Sequence, residues 1–192
     1  MHFISATLFS VLAILGTTAI SGASAAGCSS INREATDLIK SFGGFVASPN
    51  PKSTGQPVIG YGHTCKQKRC SEVPYRFPLT TTSAAELLQK DLQPIISCLD
   101  SNINSDVELN DNQWGALASW TFSVGCGSAR TSALVKRLNN GDDPNEVAKQ
   151  ELPKWNKSGG NEIAGLTRRR EAEVKLFQTP SSNTAFPDCS TD

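Results

Sequence analysis

The chain has 192 residues, with 18 Lys plus Arg balanced by 18 Asp plus Glu, and the first 27 residues hold none of these charges. That balance excludes a charge-driven affinity for nucleic acid or anionic membrane. The length fits one domain with a sizeable core.

Residues 1–26, MHFISATLFSVLAILGTTAISGASAA, join an apolar run to the small residues Ala23-Ser24-Ala25-Ala26. The run falls short of the ~20 residues needed to span a bilayer. It is therefore expected to be a cleaved secretory signal peptide, with no membrane association after cleavage. Residues 27–192 are then expected to form one domain, a monomer. All six cysteines, Cys28, Cys65, Cys70, Cys98, Cys126 and Cys189, follow the cleavage point. An even set in an oxidising compartment predicts three disulfides, and sequence alone leaves their connectivity open. A terminal staple, Cys28 to Cys189, and a helix-to-helix bridge, Cys98 to Cys126, are the pairings we single out. His63, Cys65 and Cys70 form a tempting zinc set, but no second ligand pair accompanies them, so no metal or other cofactor is expected.

Ile31, Ala35, Leu38, Ile39 and Phe42 recur at helical spacing. They predict a first helix with Ser29 or Ser30 as N-cap, ending near Ser41 and closed by Gly43-Gly44. Residues 45–79 are rich in Pro, Gly and Ser around short apolar pieces and read as a small irregular sheet. Ser83-x-x-Glu86 reads as the capping box of a second helix, which Pro94 should kink. Asn110 to Val124 is the most apolar helical stretch and should be central. Short helices are expected from Ser132 to Leu138 and from Pro144 to about Trp155, and a last, Arg-rich helix from Gly165 to Phe177. The Arg168-Arg169-Arg170 run reads as a solvated or carboxylate-paired helix face. Together these predict an α+β fold: a β lobe over about 43–79, a helical lobe over about 80–178, a tail over 179–192, and a cleft between the lobes.

Six stretches carry a resemblance. They are Leu38-Ile39-Lys40 with Phe42-x-Gly44-Phe45, Ile59-Gly60-Tyr61-Gly62-His63-Thr64, Leu109 to Leu117 running into Phe122-x-Val124-Gly125-Cys126-Gly127, Leu138-Asn139-Asn140-Gly141, Trp155-Asn156-Lys157-x-Gly159-Gly160, and Gly165-Leu166-Thr167-Arg168-Arg169-Arg170-x-x-Glu173. In this order the chain resembles the phage-type lysozymes of glycoside hydrolase family 24, most closely their secreted fungal members. The resemblance implies a lysozyme-like fold and hydrolysis of the β-1,4 glycosidic bond of bacterial cell-wall peptidoglycan with inversion. That chemistry needs a carboxylic acid on the leaving oxygen and a second carboxylate, with a polar partner, to activate water.

The family's Glu, Asp and Thr positions, however, fall on Gly43, Lys52 and Val58. Gly43 has no proton to donate and in isolation reads as a helix C-cap. A protonated Lys52 cannot serve as a base and opposes a developing oxocarbenium charge. Val58 keeps the shape of Thr without its hydroxyl. Each lost acid or base costs on the order of 10² to 10⁴ in rate. The family's polar groove position, commonly Asn, is Ser123.

Of the carboxylates Glu72, Asp106, Glu108, Asp111 and Glu162, none lies between positions 43 and 64. His63 reads as a structural histidine bonding across the lobe junction. Trp114 and Trp120 read as core, while Tyr61 and Tyr75, with His63 and Ser123, are the candidates for lining a groove. Asn156-Lys157-Ser158 is a glycosylation sequon. Three functions follow: a non-hydrolytic binder of peptidoglycan- or chitin-type glycan, an active lysozyme with a substitute carboxylate, or an extracellular protein-interaction effector on the same scaffold.

Overall fold

The computed structural model describes residues 30–49 and 56–185. The expected signal peptide, Cys28, Lys52 and Cys189 lie outside them. Helix α1 spans Arg33–Gly43, β1 Val58–Ile59, β2 His63–Thr64, α2 Thr81–Asp100, α3 Asp111–Val124, α4 Cys126–Arg130, α5 Ala133–Asn139, α6 Pro144–Glu151, β3 Lys157–Ser158, β4 Asn161–Glu162 and α7 Ala164–Phe177. Short 3-10 turns occupy Lys68–Cys70 and Leu152–Trp155. The result is the expected α+β architecture, with a helical majority and two small antiparallel hairpins. No helix among the described residues is long and apolar enough to cross a membrane.

Helix α3 is the axis of the larger lobe. Every residue from Asn112 to Thr121 is buried, so it is surrounded instead of lying on a surface. It packs against α1, α2 and α7. Trp114 and Trp120 are core residues, as expected, and the Trp120 ring meets that of Trp155 edge-on at 5.5 Å. A second, smaller core joins the β lobe to α2 through Ile59, Val73, Leu79, Ala84 and Leu87, together with Cys65 and Cys70. Tyr61 packs against both cores.

Several boundaries differ from the sequence reading, each for a local reason. Asn32, not Ser29 or Ser30, caps α1, its side chain accepting from the Ala35 amide. Gly43 is the last helical residue, and Gly44, at φ 64°, is the cap. Helix α2 starts earlier than Ser83, so Ser83 stands at its third position. Its hydroxyl accepts from the Thr80 amide, and Glu86 takes no part in the box. Helix α2 runs unbroken past Pro94. Helix α4 and the β3–β4 hairpin have no counterpart in the expected elements.

Among the described residues Cys98 bonds Cys126, as expected, and Cys65 bonds Cys70. The Cys98–Cys126 bridge ties α2 to α4 across 28 residues. Breaking it with a Cys98→Ala, Cys126→Ala pair should cost about 2–4 kcal/mol. Ser30 and Ala185, the described residues nearest in sequence to Cys28 and Cys189, line one cavity. Peptide mapping under non-reducing conditions is expected to return Cys28–Cys189 as the third bridge, and a Cys28 or Cys189 peptide carrying free thiol would refute that pairing.

Candidate functional site

The β1–β2 turn, Gly60-Tyr61-Gly62, is pressed against the end of α1 on one side and α3 on the other. Val46 and Gly60 exchange backbone hydrogen bonds at 3.0 and 2.7 Å, fastening the chain after α1 to the turn. A Cβ built on Gly43 would lie 2.6 Å from the Tyr61 carbonyl oxygen and 3.0 Å from its carbon. One built on Gly62 would lie 3.2 Å from Cε1 of Phe122 in α3. The first distance is too short for any side chain on the present backbone. Gly43 is thus a close-approach glycine as well as a residue without an acid.

The surroundings of that contact are apolar and aromatic. Phe45 is 43% exposed, its ring centroid 5.7 Å from that of Tyr61, and Lys40 Nζ lies 5.7 Å above the Tyr61 ring. Val46 and Val58 are also exposed, and Val58 pairs with Thr64 in the hairpin. Ser123 is half-buried near the end of α3, next to Phe122. Tyr75, by contrast, is engaged with α2, Lys90 Nζ lying 4.9 Å above its ring.

His63 carries the link between lobes. Its Nδ1 is 2.9 Å from both carboxylate oxygens of Asp91 on α2, and its Nε2 is 3.5 Å from Glu72 Oε1. Burial pushes the Asp91 carboxyl up from its ordinary value, against the opposing pull of His63. For Glu72, burial also raises, but hydrogen bonds from its own amide and the Lys66 and Gln67 amides, together with the His63 ring 3.5 Å away, outweigh it and leave the carboxyl low. Both carboxylates are therefore committed to holding a loop or an imidazole. Asp91 escaped the sequence reading because its only signal is a position on α2 beside buried Leu88 and Leu92. No local pattern pairs it with a residue on β2.

The remaining candidates lie apart from this turn. Asp111 at the start of α3 accepts from Asn183 Nδ2 at 3.1 Å. It lines a cavity of about 520 Å³ with Asn32, Trp114 and Asn183, and a second cavity of about 570 Å³ lies between Pro153, Val174 and Gln178. Neither cavity is lined by Gly43, Val58 or Tyr61. Asn156 is 9% exposed and its amide nitrogen donates to Thr167 Oγ1 at 3.2 Å. A glycan would need that nitrogen turned outward, so the sequon is not presented for modification.

A helical lobe built around one engulfed helix, a small β lobe, and a glycine-rich turn where they meet define a lysozyme-like protein. The phage lysozyme family profile matches residues 40–173, and the chain belongs to that family. It is 35% identical over 78% of its length to an endolysin of Bacillus phage PZA, and 31% identical over 78% to one from Acyrthosiphon pisum secondary endosymbiont phage 1. The match covers 55% of the former and 98% of the latter, so the chain spans about half the length of the first of these relatives. Among solved structures it is similar to the muramidase domain of SpmX from Asticaccaulis excentricus, with TM-score 0.65, 31% identity, and 79% of this chain and 99% of that one covered. A point mutant of P22 lysozyme gives TM-score 0.64 at 29% identity, with 78% and 98% covered.

Proposed function

We propose that the protein is a secreted, non-hydrolytic binder of an N-acetylhexosamine polymer of the peptidoglycan or chitin kind, with a likeness to the secreted fungal members of its family. The observation that carries this reading is the contact at Gly43. The position where the family places its acid bears no side chain, and the Tyr61 carbonyl stands where one would begin. Val58 offers methyl groups where a hydroxyl would hold water, and Lys52 stands at the base position. Phe45 and Tyr61 supply apolar faces on which sugar rings can stack. Lysozyme-family membership supports a cell-wall glycan as the ligand. Purified protein should sediment with insoluble peptidoglycan or chitin and release no reducing ends. Release of reducing ends at a rate near that of an active phage lysozyme would overturn the reading.

The names of its relatives favour a second reading, an active lysozyme with a substitute carboxylate. Glu72 and Asp91, the carboxylates tied to His63, are both occupied by structural hydrogen bonds, which weighs against it. Wall lysis abolished by Glu72→Gln, Asp106→Asn or Glu108→Gln would support it.

A further inference from the structure

We propose that His63, Glu72, Cys65 and Cys70 form a redox-gated site for a zinc-like divalent cation, independent of the glycan-binding reading. The ligand atoms of His63, Cys65 and Glu72 lie within 4.8 Å of one another, and Cys70 Sγ is bonded to Cys65 Sγ at the same spot. An imidazole, a carboxylate and one sulfur therefore converge, the N, S and O donor types of a zinc centre, and Cys70 would supply the fourth ligand once the disulfide is opened. Bond lengths of about 2.0–2.3 Å place such ligand atoms about 3.3–3.8 Å apart. His63 Nε2 and Glu72 Oε1, at 3.5 Å, already meet that spacing. Cys65 Sγ needs to close by at most about an ångström, and Cys70 Sγ has to swing in after the disulfide opens.

The orientation of His63 is the independent sign of a ligand. The side chain is 9% exposed, and its buried Nε2 makes no hydrogen bond, Glu72 Oε1 standing 3.5 Å away. Nδ1 is held by Asp91, so the lone pair that a metal would use points toward Glu72 and Cys65. A carboxylate that orients the far nitrogen of a ligating histidine is a general feature of zinc sites. The sequence lacked a second ligand pair beside His63, Cys65 and Cys70. Folding supplies Glu72, whose carboxylate the Lys66 and Gln67 amides already hold in place beside His63, as a further ligand, and Asp91 as the orienting group.

In the oxidised chain the two sulfurs are spent on each other. Opening the site takes two electrons and two protons into the Cys65–Cys70 bond, supplied by two molecules of a thiol that become a disulfide. The cation then displaces both thiol protons. Arg69 and Cys70 sit at φ 57° and 55°, a conformation costly for residues with side chains, so cutting the tie frees this loop to rearrange. Metal and disulfide are mutually exclusive states of one site.

The test uses Co²⁺ as the probe on the full chain. Wild type, oxidised, should show no thiolate-to-cobalt absorption. Reduced with a phosphine, it should bind one Co²⁺ with that absorption and be displaced by Zn²⁺. Cys70→Ser frees Cys65 without reductant and leaves Cys98–Cys126 intact, and it should bind Co²⁺ through one thiolate. Adding His63→Gln to Cys70→Ser should weaken binding about 100-fold, and adding Asp91→Asn should weaken it about 10-fold to 100-fold. The proposal fails if neither reduced wild type nor Cys70→Ser gives the thiolate absorption, or if His63→Gln leaves the affinity unchanged.

Discussion

Gly43→Glu is expected to weaken the fold and to leave the protein unable to lyse cell walls, even when combined with Lys52→Asp and Val58→Thr. In the last turn of a helix, replacing glycine by a residue with a Cβ normally gains up to about 1 kcal/mol. Here that Cβ would meet the Tyr61 carbonyl at 2.6 Å, and the obstacle is backbone, not a side chain that can swing away. Overpacking of this kind costs about 1–3 kcal/mol. The penalty outweighs the propensity gain, so the minimal change Gly43→Ala should already lower the urea midpoint. Gly43→Glu should lower it at least as much. A midpoint for Gly43→Ala equal to or above wild type would show that α1 and the β1–β2 turn separate easily. Lysis by the triple variant at a rate near that of an active phage lysozyme would show that only the chemical groups, and not the backbone around them, had been lost.

Glu173→Ala should cost about 3–5 kcal/mol, with a fall in Tm on the order of 10 °C. Glu173 is fully buried between α7 and α3, and its Oε1 accepts from Ser119 Oγ at 2.7 Å, Arg170 Nη2 at 2.8 Å and Arg169 Nε at 3.1 Å. Its Oε2 pairs with Arg170 Nε at 2.6 Å, and Arg170 is 1% exposed. Burial pushes the Glu173 carboxyl up and the Arg170 guanidinium down, and each holds the other in its charged form. Removing the carboxylate leaves two neighbouring guanidiniums, one of them buried, with no counter-charge. The pair Arg170→Met, Glu173→Leu should cost far less than the two single changes summed, because an apolar pair of similar volume carries no desolvation cost. Urea denaturation of the four proteins measures the coupling. A loss below about 1 kcal/mol for Glu173→Ala would place the strength of this junction in packing alone.

In the Arg-rich run the local pattern is legible in the sequence, and the partner is not. Spacing placed Arg168, Arg169 and Arg170 on the last helix and allowed a carboxylate-paired face. Only the crossing of α7 over α3 buries Arg170 against Glu173, while Ser119 of α3 bonds Glu173 and Arg169. The same holds for His63. Its motif marked a lobe junction, but Asp91 reaches it from α2, across 28 residues of sequence. The Cys65–Cys70 bridge closes a short loop that no periodicity announces. Helix α4 is five residues long, too short to leave a helical period.

What the sequence by itself determined is what local chemistry controls: the apolar period of α3, the glycines that end helices, the order of the lobes, and the identity of the residues at the positions the family resemblance marks. What only the tertiary structure decided is what a glycine at position 43 means. The sequence shows a glycine where the resemblance places an acid, and the packing of Tyr61 against the end of α1 leaves no room for a Cβ at that position. The physical reason is that excluded volume and burial depend on distances between segments far apart in the chain, and no residue type encodes those distances on its own.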